Sequence, residues 1–125
     1  VYSKLNKKQK NVINVLTLKK SFDSASIFYN QYKGKCSSWK LKKEDIETIM
    51  RNSTPIDGIK FHDVFDVLPC FYEGQILWHS DTLAHYQLNA GSFAILYFKD
   101  TAIYVGYKKT DYYKNFVIGP NLEND

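Results

Sequence analysis

The sequence predicts an α+β fold in which two or three N-terminal helices pack on one face of an antiparallel sheet of about five strands. Residues 83–88, 93–98 and 102–107 are short runs of alternating aromatic and aliphatic residues. The loops between them are too short to hold a helix, so they pair as a meander. Before Gly58 the apolar residues recur at spacings of three and four, and from Ile59 they take the spacing of strands. At 125 residues, 44% of them hydrophobic, the chain has enough apolar material for one core, so a single domain is expected.

Residues 1–10 are polar and basic, with Leu5 as the one clear apolar anchor, and read as a flexible arm or a first helical turn. Val12, Ile13, Val15, Leu16 and Leu18 fit a buried strand or a helix equally, and we take the helix. Ser21 can cap a second helix over 22–33, with Phe22, Ala25, Tyr29 and Tyr32 on one face and Gly34 as its stop. Glu44 and Asp45 favour the start of a third helix and Arg51 its end. Its buried stripe is Ile46, Ile49 and Met50, set against Trp39 and Leu41. Asn52 to Pro55 and Asp57-Gly58 then break the chain.

Phe61, Val64, Phe65, Val67 and Leu68 suggest a first strand ended by Pro69, and residues 71–78 a second, with a bulge at Glu73-Gly74. Ser80-Asp81 turns the chain into the meander. In the loop Asn89-Ala90-Gly91, the glycine is expected to take the left-handed conformation. Lys99-Asp100 lacks a glycine and implies a loop longer than two residues. Residues 111–116 suit one helical turn, Phe116, Val117 and Ile118 close the core, and residues 121–125 are expected to fray.

Charge is uneven along the chain. Residues 1–50 carry 11 lysines against four acids, a net of +7, and residues 51–125 carry six basic residues against nine acids, a net of −3. Such polarity steers association with a charged partner. No apolar run approaches the roughly 18 residues of a membrane-spanning helix. The chain opens at Val1 with no apolar leader, as in a processed or trimmed protein. A periplasmic or secreted location with a leader removed is the expectation, with the cytoplasm as the alternative. Cys36 and Cys70 match no CxxC pattern. In an oxidising compartment they can form a disulfide between the helical half and the sheet half, and in the cytosol they would be buried thiols.

No familiar catalytic or cofactor signature occurs, and no cofactor or metal is expected. His79, Asp81 and His85 are the candidates for metal binding or acid–base chemistry, although the Ser80-Asp81 turn interrupts the strand that would align them. Asp63, Asp66 and Glu73 flank two predicted strands and are the raw material for a carboxylate pair. With the histidines they define an alternative reading as a small hydrolase or metal-dependent nuclease. Cys70 has no glycine-rich turn or helix N-terminus beside it to supply oxyanion donors, so it reads as a core thiol or half of a disulfide.

Lys4, Lys7, Lys8, Lys10, Lys19 and Lys20 support a second alternative, nucleic-acid binding through the basic half. Most of the aromatic residues lie in the other, acidic half, which argues against that groove. Asn52-Ser53-Thr54 has the form of a glycosylation acceptor, which matters only in a eukaryotic secretory setting. The densest aromatic group is Tyr97, Tyr104, Tyr107, Tyr112 and Tyr113. Those that face outward, with Asp100 and Asp111 at the rim, are the expected binding surface.

The stretch from Asn89 to Gly106 (Asn-Ala-Gly-Ser-Phe-Ala-Ile-Leu-Tyr-Phe-Lys-Asp-Thr-Ala-Ile-Tyr-Val-Gly), followed by Tyr112-Tyr-Lys-Asn-Phe116, resembles exported bacterial domains. With the small size, charge polarity and Asn/Lys/Tyr-rich composition, it is similar in style to small bacterial immunity or inhibitor proteins of secreted toxins or effectors. The resemblance covers about the last half of the chain and transfers no family residue. It implies a noncatalytic protein that neutralises a cognate toxin by direct binding. Helices followed by a strongly bent sheet also describe cone-shaped folds, whose concave side would form a pocket.

Overall fold

A computed structural model describes residues 12–57, 65–79, 81–107 and 115–118. Its described residues form seven strands and two helices: β1 (Ile13–Val15), β2 (Lys19–Phe22), α1 (Tyr29–Ser38), α2 (Lys43–Arg51), β3 (Thr54–Ile56), β4 (Cys70–Trp78), β5 (Thr82–Asn89), β6 (Phe93–Tyr97) and β7 (Ala102–Gly106). They make one antiparallel sheet in the order β1-β4-β5-β6-β7-β3, with β2 also on β4. This corrects the expected architecture. The chain is α+β but mostly strand, and its described residues make two short helices and a seven-stranded sheet in place of a helical half on five strands.

The meander runs through β4 to β7 in the expected order. The additional strands come from segments read as helix or break. Ile13 and Val15 point inward and Asn14 outward, the period of a strand. The same β-branched cluster that fits a helix is held extended by pairing with β4. Lys19 to Phe22 continue along β4, so Ser21 and Phe22 are strand residues and do not open a helix. The chain then turns: the Asp23 carboxylate accepts the Ala25 N–H at 3.0 Å, and the Ser26 hydroxyl accepts the Phe28 N–H at 3.1 Å. Helix α1 follows and contains Gly34, which was expected to end it.

Between β1 and β2, Leu16 to Leu18 form a bulge. The pairing shifts by one residue, from Val15 opposite Ile76 to Lys19 opposite Glu73. The irregularity expected at Glu73-Gly74 is therefore real in place but belongs to the opposing strand. Gly74 admits it: a Cβ there would lie 2.2 Å from the Thr17 carbonyl oxygen. The Thr17 hydroxyl accepts the Gln75 N–H at 2.8 Å, and the Gln75 carbonyl accepts the Leu16 N–H at 2.9 Å.

β3 lies where Asn52 to Pro55 were expected only to break the chain. It pairs with β7 at the edge, where Pro55 loses no ladder hydrogen bond that the sheet needs. Residues 65–68 are not strand. Phe65 instead covers part of the sheet, packed edge-on to Phe93 with ring centres 5.9 Å apart. The remainder of the expected first strand lies outside the described residues, as do the basic arm 1–10 and the tail 121–125.

Helix α2 matches its expectation. Ile46, Ile49 and Met50 are each no more than 1% exposed, and each contributes about 2 kcal/mol by burial. The Asp45 carboxylate accepts the Lys42 N–H at 2.8 Å and caps the first turn. The Glu47 carboxylate accepts the Val15 N–H at 2.8 Å, so α2 seals the β1 edge. Ile13 on one edge and Pro55 on the other line a single cavity, which shows that the sheet curls around α2. Cys36 and Cys70 form a disulfide that ties α1 to the start of β4. Trp39 and Tyr72 pack edge to face beside it.

The β5–β6 hairpin differs in its turn chemistry. The positive φ falls on Ser92, at 77°, and no described glycine has one. Gly91 is required for another reason, because a Cβ would meet the Asp66 carbonyl oxygen at 2.1 Å. The β6–β7 connection spans Phe98 to Thr101, closed by Phe98 N–H donating to the Thr101 carbonyl at 2.7 Å.

Candidate binding surface

Alternation along β4 to β7 sorts side chains onto two faces. The inner face, with Tyr72, Ile76, Tyr86, Leu88, Leu96 and Val105, packs into the core with α2. The outer face presents Gln75, His85, Tyr97 and Ala102 as one cross-strand row, since these residues are successive partners in register. A second row runs through Glu73, Gln87, Ile95, Tyr104 and Ile56. Leu77 and Leu83 pair at the open end.

Among the described residues, the outer face is covered at one end only. Phe65, Phe93, Ile56, Ile95 and Tyr104 form a small apolar cluster beneath residues 65–68. Asn89 fixes that cover. Its side-chain amide accepts the Leu68 N–H and donates to the Leu68 carbonyl, each at 3.0 Å, and also accepts the Gly91 N–H at 2.8 Å. At the other end Leu83 is 56% and Tyr97 40% exposed. Between them His85 stands with its ring centre 6.2 Å from that of Tyr97 and its Nε2 3.6 Å from Glu73 Oε1. Glu73 is steadied from the other side by the Ser21 hydroxyl, which donates to it at 2.8 Å. A shallow depression of about 330 Å³ lies among Gln75, Leu83, His85, Tyr97 and Lys99.

The structure divides the expected tyrosine surface. Tyr97 and the half-buried Tyr104 share the outer face, and Asp100 is exposed in the adjoining loop. Tyr107 points the other way. It is 1% exposed, its hydroxyl lies 3.6 Å from Met50 Sδ, and its ring stacks on Phe116 at 5.2 Å. Burial pushes its phenol well above the ordinary range, against a smaller opposing effect of a hydrogen bond with Ser53. Asp111, Tyr112 and Tyr113 lie outside the described residues.

His79 and His85 do not converge. The turn after β4 leaves His79, with φ 53°, lining the inner cavity beside Trp78, whereas His85 faces outward. Asp81 is exposed in that turn, Asp66 is exposed in the covering segment 65–68, and Asp63 lies outside the described residues. Among the described residues no group of three or more His, Cys, Asp or Glu side chains is placed to hold a metal ion. No described helix is long and apolar enough to cross a membrane.

Of the basic residues in the nucleic-acid reading, Lys4, Lys7, Lys8 and Lys10 lie outside the described residues, and Lys19 is exposed. The Lys20 ammonium donates to the Ser37 and Trp39 carbonyls at the end of α1, where a cation complements the helix dipole. Its pKa is lowered by burial first and by Lys40 second.

Leu83 and the His85–Tyr97 pair were not singled out from the sequence as parts of one surface. The signal was present in the parity of β5 and β6, which places residues 83, 85 and 97 on one face once the register is known. No protein-family model matches the chain, and neither does any curated protein or solved structure.

Proposed function

We propose that the chain is a noncatalytic binding domain of the immunity or inhibitor kind, which meets a folded protein partner through the open end of its outer sheet face. The observation that carries this reading is the shared exposure of Leu83 and His85, two positions apart on β5, and of Tyr97, the cross-strand partner of His85. Large apolar and amphipathic side chains grouped on a rigid sheet suit a desolvated contact centre. Lys99, Asp100 and Asp81 surround them and supply the polar rim such interfaces carry. A histidine 3.6 Å from Glu73 adds directional polar contact. A toxin or effector whose active site is occluded fits this arrangement, since occlusion needs affinity and no turnover.

The test is binding of the purified protein to the products of genes adjacent to its own, followed by titration calorimetry. One partner should bind with an affinity on the order of nanomolar. Tyr97→Ala should weaken it about thirtyfold, the effect of removing a central aromatic contact. Leu83→Ser with Tyr97→Ala should remove measurable binding while the melting temperature stays near that of the parent, because both side chains are exposed. A partner bound equally well by the double variant would refute the surface. The absence of any protein partner would count against the function itself.

A further inference from the structure

The inner side of the curled sheet holds a second feature, distinct from the outer face. A cavity of about 530 Å³ opens between the β4–β5 turn, the end of β6, β7 and the C-terminal end of α2. It reaches into the core, since Ile13, Met50 and Val105 line it although each is no more than 3% exposed. Trp78, Phe98 and Ile103 form its apolar walls. Protein interiors seldom leave voids larger than a water molecule. A volume in the range of small-molecule pockets, walled by aromatic and aliphatic side chains with few polar groups, is the form of a ligand site.

The polar groups are grouped by chemistry. Arg51 and Thr82 are exposed at the rim, with Ser53 and His79 beside them. The Arg51 guanidinium donates to the Thr48 hydroxyl at 3.2 Å, a neutral partner, so its positive charge is not neutralised by that contact. No aspartate or glutamate lines the cavity among the described residues. The geometry points to an amphiphilic small molecule as the ligand, with an apolar body of alkyl or aromatic carbon against Trp78, Phe98 and Ile103 and a single carboxylate held by Arg51. A guanidinium presents paired N–H donors that match a carboxylate, and a charge-assisted contact of this kind discriminates against an uncharged analogue.

Octanoate and octanol serve as probes of equal chain length, followed by the indole N–H signals of the two tryptophans in nitrogen-15 correlation spectra. Octanoate should shift the Trp78 signal in a saturable manner and leave that of Trp39 in place, because Trp39 is outside the cavity and donates to the Asn115 carbonyl. Octanol should bind about tenfold more weakly. Arg51→Gln, an exposed change, should reduce octanoate affinity about tenfold and leave octanol affinity unaltered. Ile103→Trp, which fills the cavity, should abolish binding of both. If octanoate leaves Trp78 unmoved at millimolar concentration, the site is overturned. If octanol binds as tightly as octanoate, or Arg51→Gln changes neither, the carboxylate assignment is overturned.

Discussion

The Thr17 carbonyl oxygen occupies the space a side chain on Gly74 would need, 2.2 Å from the position of its Cβ. The same oxygen accepts the Tyr86 hydroxyl at 2.9 Å, so one close approach fixes both the bulge between β1 and β2 and a core tyrosine. Gly74→Ala must push the bulge off the sheet and break this contact together with the bonds to Gln75. The expected loss is about 2 to 3 kcal/mol in urea unfolding, from overpacking and unmade hydrogen bonds. An alanine variant as stable as the parent would show that the bulge is not seated as described.

Asn89 carries the cover over the closed end of the outer face. Asn89→Ala leaves the Leu68 N–H and carbonyl and the Gly91 N–H without their partner in a buried setting. The variant should lose about 2 to 4 kcal/mol. Amide exchange at Leu68 should speed up more than exchange in β5, which separates local release of the cover from general loosening.

The disulfide closes a loop between residues separated by 34 positions. Chain-entropy reasoning assigns such a cross-link about 4 kcal/mol, provided the reduced unfolded chain is the reference. Cys36→Ala with Cys70→Ala should therefore lower the urea midpoint. Outer-face exposure of Tyr97 should not change, since the bond ties α1 to the opposite side of the sheet. A double variant of unaltered stability would mean that the bond adds nothing to what α1 packing already supplies.

Alkaline titration should report on Tyr86 and Tyr107. The Tyr86 phenol is raised by burial first, then by the Glu73 charge and Tyr72, and that of Tyr107 by burial. The folded state keeps these protons where the unfolded chain begins to lose its own, near the ordinary value of 10.0. The unfolded state thus binds fewer protons above that pH, and stability falls as pH rises through and beyond it. Lys20 acts in the opposite sense in the window just below its ordinary 10.5, because its folded pKa is depressed. Absorbance at 295 nm should show Tyr86 and Tyr107 ionising only with unfolding. Ionisation of Tyr86 and Tyr107 ahead of unfolding would contradict their burial.

The sheet meander and α2 were legible because their signals are local. Alternation in 83–88, 93–98 and 102–107 needs only neighbouring strands, and the stripe Ile46, Ile49, Met50 needs only one helix face. The N-terminal segment was not legible. Val12 to Leu18 suits two periods, and the choice is made by β4, whose unpaired edge takes Ile13 to Val15 as a strand. The helical spacing of Phe22 and Ala25 was likewise overruled, because the Asp23 N–H bonds to the Pro69 carbonyl and extends the edge pairing past Phe22. β3 was hidden by Pro55, a residue that marks a break in isolation and an acceptable edge position beside β7.

The residue pattern alone carried the mixed α+β character, the C-terminal meander, a helix starting at Glu44-Asp45 and ending at Arg51, and a tyrosine-rich sheet. These depend on periodicity and propensity, which are properties of short stretches. Long-range packing decided the rest: the described residues form a seven-stranded sheet that curls around α2, Tyr107 turns inward while Tyr97 turns outward, and His79 and His85 part company. Register decides each of these: a side chain's face follows from which residue it opposes across the sheet, and that pairing is set by contacts distant in sequence.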